Sequence, residues 1–105
     1  MTYHVKITNE ALSDMEEIYT YIAEQLLEPE IALDQYNRIA DAALTLDENP
    51  ERCRVMDIEP EHSRGMRKLL VDNYTIFFVI LEDIVYITDV LYSASDIEHR
   101  LKERG

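Results

Sequence analysis

Tyr74, Ile76, Phe78 and Ile80 alternate with Thr75, Phe77, Val79 and Leu81, so this run is apolar on both sides of an extended chain. A strand with one face in water would alternate apolar with polar instead. Asp72-Asn73 and Glu82-Asp83 bound the run as short polar breaks of the kind that connect hairpins. Residues 65 to 96 therefore predict three consecutive antiparallel strands whose middle member needs a cover on each face. Upstream, Tyr3, Val5 and Ile7 alternate with His4, Lys6 and Thr8, the period of a short edge strand over residues 3 to 8. Asn9 is placed to cap a helix and Glu10 suits the positive end of its dipole. Ala11, Met15, Ile18, Ile22 and Leu26 then recur at helical spacing, with Asp14, Glu17 and Glu24 expected on the outer face. Pro29 is tolerated in a first turn, and Ala32, Tyr36, Ile39, Ala43 and Leu46 trace a second stripe that ends at Asn49-Pro50.

Only Leu27, Glu28 and Pro29 separate the two stripes, so the helices are expected to form an antiparallel hairpin. Residues 50 to 65 hold two prolines, several charges and no period, and read as a loop with one strand-like turn around residues 55 to 58. Ser95 or Asp96 can cap a last short helix through Ile97 and Leu101. The order is strand, helix, helix, three strands, short helix: a single α+β domain over residues 1–105. The hairpin supplies enough apolar surface for one face of the sheet. The other face is expected to stay open, and an open apolar patch of that kind marks a partner site.

Composition narrows the class. One domain of 105 residues buries a sufficient core without metal or disulfide, and 47% hydrophobic with 30% charged residues are ordinary globular values. No apolar run reaches the length of a membrane span, the N-terminus has no secretory pattern, and the lone Cys53 fits a reducing compartment, so a cytoplasmic location is expected. The net charge of −12 is uneven. Residues 1 to 50 set eleven acids against Lys6 and Arg38, whereas residues 51 to 105 set eleven against eight basic side chains. Such a chain is disfavoured as a general nucleic-acid binder, because phosphate neutralisation supplies most of that affinity. Two basic spots remain, one at Arg52, Arg54, Arg64, Arg67 and Lys68, the other at Arg100, Lys102 and Arg104. His4, His62, His99 and Cys53 lack ligand spacing, and the chain has only two glycines, so neither a metal site nor a phosphate loop nor any other cofactor site is predicted.

Four segments taken in order carry a resemblance: EALSDMEEIYTYIAEQ, IALDQYNRIADAALTLDENPERC, GMRKLLVDNYTIFFVI with its G-x-R-x-L and N-Y-x-I-x-F elements, and VYITDVLYSASDI. Together they resemble the RelE/ParE superfamily of toxins from type II toxin-antitoxin pairs over nearly the whole chain. The resemblance implies a small bacterial toxin held inactive by a cognate antitoxin that covers its sheet, in a hetero-oligomer or beside a homodimer. It also implies one of two targets. RelE-like toxins cut messenger RNA in the ribosome, and ParE-like toxins poison DNA gyrase. On this reading the antitoxin contacts fall on Arg67, Leu69, Val71, Tyr74, Phe77, Val79, Ile87 and Leu91.

Metal-free RNA cleavage needs cations around the phosphorane and groups that move protons at the two oxygens. Arg67 matches the family's basic residue on the second strand, and Tyr92, His99 and Arg100 complete the catalytic set if the chain is an RNase. The chain departs from the RelE-like pattern elsewhere, with Tyr74-Thr75 where a Tyr-Arg pair is expected and Ala94-Ser95 where a basic pair is expected. Binding without chemistry, as in a ParE-like gyrase inhibitor, is the first expectation; ribosome-dependent cleavage and a non-toxic pairing module are the others. Asp89 is expected to share a face with Ile87 and Leu91, paired with an arginine or near the open rim.

Overall fold

The computed structural model describes residues 2–93. The chain runs through β1 (His4–Ile7), α1 (Asn9–Thr20), a π-helical turn (Tyr21–Gln25), α2 (Pro29–Leu44), two 3-10 turns (Thr45–Asp47 and Pro50–Arg52), β2 (Arg67–Val71), β3 (Tyr74–Leu81) and β4 (Ile84–Tyr92). The four strands form one sheet in the order β1-β4-β3-β2. The last three are the antiparallel meander the sequence predicts, and β1 lies parallel to β4 at the edge, His4 opposite Ile84 through Ile7 opposite Ile87. The expected C-terminal helix, with Ser95, Asp96, His99 and Arg100, lies outside the described residues.

The start of α1 differs from expectation by one residue. Thr8, not Asn9, is the cap, and its hydroxyl accepts the Ala11 N–H while donating to the Ile87 carbonyl at 2.8 Å. Thr8 wins because one side chain serves both the helix end and the strand beside it. At the other end, the π turn gives way to Leu27 in the left-handed region (φ 56°), and the Glu28 N–H reaches back to the Ile22 carbonyl. Side chains hold α2 beyond its C-terminus and at its middle. The Arg52 guanidinium donates to the Glu48 and Asn49 carbonyls and to the Thr45 hydroxyl beyond its C-terminus, where the helix dipole favours a cation. Arg38 and Gln35 both donate to Asp72 in the β2–β3 turn, the ion pair closing at 2.7 Å.

The main core lies between the helical hairpin and one sheet face, with Ala11, Met15, Ile39, Ala43 and Leu46 against Ile76, Phe78, Val85, Ile87 and Val90. The opposite face is not open. Phe77 is fully buried and Leu91 nearly so, packed with Val79 beneath Met56 and Met66 of the long loop. That loop is tied down by a Val55–Arg67 bridge and by the Met56 N–H bonded to the Met66 carbonyl. The unpatterned residues 50 to 65 thus supply part of the second cover, for which the sequence offered no periodic signal.

A bulge in β4 changes which residues share a face. Phe77 lies opposite Asp89 and Phe78 opposite Ile87, so Thr88 is the extra residue. Ile87 therefore faces the helices while Asp89 and Leu91 face away, contrary to the expected run of three on one side.

Candidate functional site

Asp14 was expected on the outer face of α1, yet it is buried, and its carboxylate accepts the Val90 N–H at 2.9 Å. The reason lies in the sheet. β1 ends opposite Ile87, so beyond the bulge β4 has no neighbouring strand on that side among the described residues, and its inward amide needs an acceptor. Asp14 supplies it from the helix. Around this bond a cleft of about 480 Å³ opens between α1 with the π turn and the ends of β3 and β4. Asp14, Glu17, Ile18, Tyr21 and Leu26 line one wall; Asn73, Tyr74, Val90, Leu91 and Tyr92 line the other.

Three tyrosines converge there. Tyr74 and Tyr92 are cross-strand partners with ring centroids 5.8 Å apart at 59°. Tyr92 and Tyr21 are about half exposed, whereas Tyr74 is deeper. Burial first, and then the neighbouring Tyr92 and Tyr21 phenols, hold the Tyr74 pKa above the usual tyrosine range. A group whose folded pKa is raised stabilises the fold below its unfolded pKa and loses that contribution as pH rises through the folded value. The Tyr74 contribution is thus complete below about pH 10 and disappears in more alkaline solution. Titration of phenolate absorbance in wild type minus Tyr74→Phe is expected to show one tyrosine ionising later than a free phenol. A difference curve centred on the ordinary value would contradict the burial of that ring.

The residues nominated from sequence do not gather at one place. Arg67 lies opposite Phe78 and Tyr92 opposite Tyr74, four positions apart on β3, or about 13 Å along the strand at ~3.3 Å per residue. The Arg67 guanidinium donates to the Cys53 carbonyl at 2.5 Å and the Glu51 carbonyl at 3.3 Å, anchoring the loop that covers the far face. His99 and Arg100 lie outside the described residues. The proposed contact set also divides between faces: Leu69, Val71, Tyr74 and Ile87 belong to the helix-side core, while Phe77, Val79 and Leu91 belong to the far cluster. Side chains as deeply buried as Phe77, Ile87 and Leu91 cannot offer contact area without prior rearrangement of their cover.

Large apolar side chains are instead exposed at the tip of the helical hairpin, where Tyr21, Leu26 and Ile31 are each a little over half exposed and Leu27 is 78% exposed. They adjoin the cleft through Tyr21 and Leu26. The sequence held one clue to this site. Asp14, Glu17 and Tyr21 recur at the i, i+3, i+7 spacing of a single helix stripe. Nothing in the spacing, however, foretells that Asp14 bonds a strand amide or that Tyr74 and Tyr92 close the other wall.

Comparison with known proteins defines the class. The family model for the ParE toxin of the type II toxin-antitoxin system parDE matches residues 5–97. The chain belongs to this family, within the RelE/ParE superfamily. Among solved structures it is similar to the chromosomal ParDE toxin-antitoxin system from P. aeruginosa, at 20% identity and a TM-score of 0.74, over 87% of this chain and 96% of that one. It is also similar to the RelBE2 toxin-antitoxin complex from Mycobacterium tuberculosis, at 18% identity and 0.62, covering 88% and 99% of the two chains. A free-state mutant of the E. coli toxin RelE aligns at 15% identity and 0.59, over 99% and 98%. At these identities the likeness is one of fold. No curated protein matches the chain. No helix among the described residues is long and apolar enough to cross a membrane.

Proposed function

We propose that this chain is a cytoplasmic toxin that acts by contact, inhibiting DNA gyrase in the ParE manner, and that a cognate antitoxin neutralises it. The observation that supports contact over cleavage is the commitment of Arg67. Its guanidinium is spent on two backbone carbonyls, and its register position on the sheet lies about 13 Å along β3 from that of Tyr92 at ~3.3 Å per residue. A phosphoryl transition state needs cations aimed at its developing charge, together with positioned proton donors and acceptors. Arg52 and Arg38 are likewise engaged, at the end of α2 and at Asp72. A net charge of −12 further opposes entry into a site built of RNA.

An antitoxin partner is supported by the family and by the fold's similarity to the ParDE system and the RelBE2 complex. The exposed apolar tip of the hairpin, Leu26, Leu27 and Ile31, is the surface such a partner would cover here. Purified protein is expected to block gyrase supercoiling, with activity restored by the product of the neighbouring reading frame. Normal supercoiling at excess protein, accompanied by codon-phased cuts in translated messages after induction, would establish the RelE-like alternative instead. Harmless overexpression with tight antitoxin binding would mark a pairing module that is not toxic.

A further inference from the structure

The cleft beside α1 has a chemistry of its own. Its walls combine the faces and edges of Tyr21, Tyr74 and Tyr92 with the carboxylates of Glu17 and Asp14. Tyrosine rings attract a cation through their quadrupole, and carboxylates at the same place add an opposite charge and hydrogen-bond acceptors. Asp14 is buried and already bonded to the Val90 N–H, so it is structural in the floor, while exposed Glu17 offers its oxygens at the rim. The half of the chain carrying α1 holds eleven acids against two basic side chains, which draws a positively charged partner to this side of the molecule. The cleft continues into the apolar hairpin tip, so an occupant with a cation next to aliphatic side chains satisfies both surfaces.

We propose that this cleft receives an arginine side chain from the antitoxin, its guanidinium stacked among Tyr21, Tyr74 and Tyr92 and paired with Glu17, while flanking apolar residues cover Leu26 and Leu27. Arginine fits better than lysine, because a planar guanidinium stacks on ring faces and meets a carboxylate with two donors, whereas an ammonium is a strongly hydrated point charge. The assignment rests on the reading that the chain pairs with an antitoxin, and it specifies the chemistry of that contact: a basic segment on an acidic toxin.

The test uses the full-length chain and two small probes, N-acetyl-arginine N-methylamide and its neutral citrulline counterpart, followed by NMR of the tyrosine rings. The arginine probe is expected to shift the rings of Tyr21, Tyr74 and Tyr92 and to bind about tenfold more tightly than the citrulline probe. Glu17→Gln is expected to remove about that factor, and Leu70→Ala, an exposed position on the opposite sheet face, to leave it unchanged. Equal binding of the two probes, or shifts confined to other tyrosines, overturns the assignment. So does a tenfold gain in probe affinity when Arg100, Lys102 and Arg104 are changed to Gln, since the chain's own basic residues would then hold the cleft. The antitoxin itself separates this inference from the functional proposal. If it binds wild type and Glu17→Lys with equal Kd, the arginine site is wrong while the toxin-antitoxin pairing stands. If no antitoxin binds wild type, the pairing fails, and the proposed occupant fails with it whatever the probes show.

Discussion

Phe77→Ala is expected to destabilise the free protein by about 3–5 kcal/mol, the cost of removing a fully buried aromatic ring from a packed interior. The side chain sits with Leu91 and Val79 under Met56 and Met66, so its loss leaves a cavity that the loop can only partly fill. Guanidinium unfolding of the isolated chain measures this directly as a shift in midpoint. The same substitution on an exposed docking surface would leave the midpoint nearly unmoved and weaken only partner binding. An unchanged midpoint would therefore restore an open sheet face and return the partner surface to Phe77 and Leu91.

Glu61→Met is expected to act in the opposite direction, raising stability by about 1–3 kcal/mol. Glu61 is 1% exposed, and its Oε2 has no hydrogen-bond partner among the described residues. Its backbone is nevertheless in use, since the Glu61 carbonyl accepts the Met66 N–H at 2.9 Å. Methionine keeps the volume and length of the side chain without a polar end to desolvate. Denaturant unfolding of the variant checks the gain. A loss of stability instead would mean that the carboxylate serves the covering loop in a way its geometry does not reveal.

Periodicity made the order of elements legible because each helix buries one regular stripe, β1 alternates, and β3 is apolar on both sides between two polar breaks. Ala11, Met15, Ile39, Ala43 and Leu46 fell on the core as the helical stripes implied. The unbroken apolar run of β3 correctly required two covers. What the pattern could not supply was the second cover, since Met56 lies in a loop whose residues follow no period and Met66, expected at the start of a strand, ends that loop before β2. The bulge at Thr88 was equally hidden: it shifts facing by one residue, and a strict two-residue alternation places Ile87, Asp89 and Leu91 together when they are apart. The site was not legible: the helical period puts Asp14 and Glu17 on the outer face, and the burial of Asp14 and its meeting with Tyr21, Tyr74 and Tyr92 depend on tertiary placement. The surface pair of Tyr3 and Glu51 makes the same point, since residues 48 positions apart meet through a hydroxyl-to-carboxylate bond that no local spacing announces. That bond draws the Glu51 carboxyl below its usual range and lifts the Tyr3 phenol above its own.

The short reach of β1 has a consequence for self-association. A border strand with an unmet amide is a template on which an identical molecule can add its own ribbon and begin a fibril. Here the carboxylate of Asp14 already holds the Val90 N–H at that border. A stacking neighbour would have to displace a buried anion before gaining its first rung.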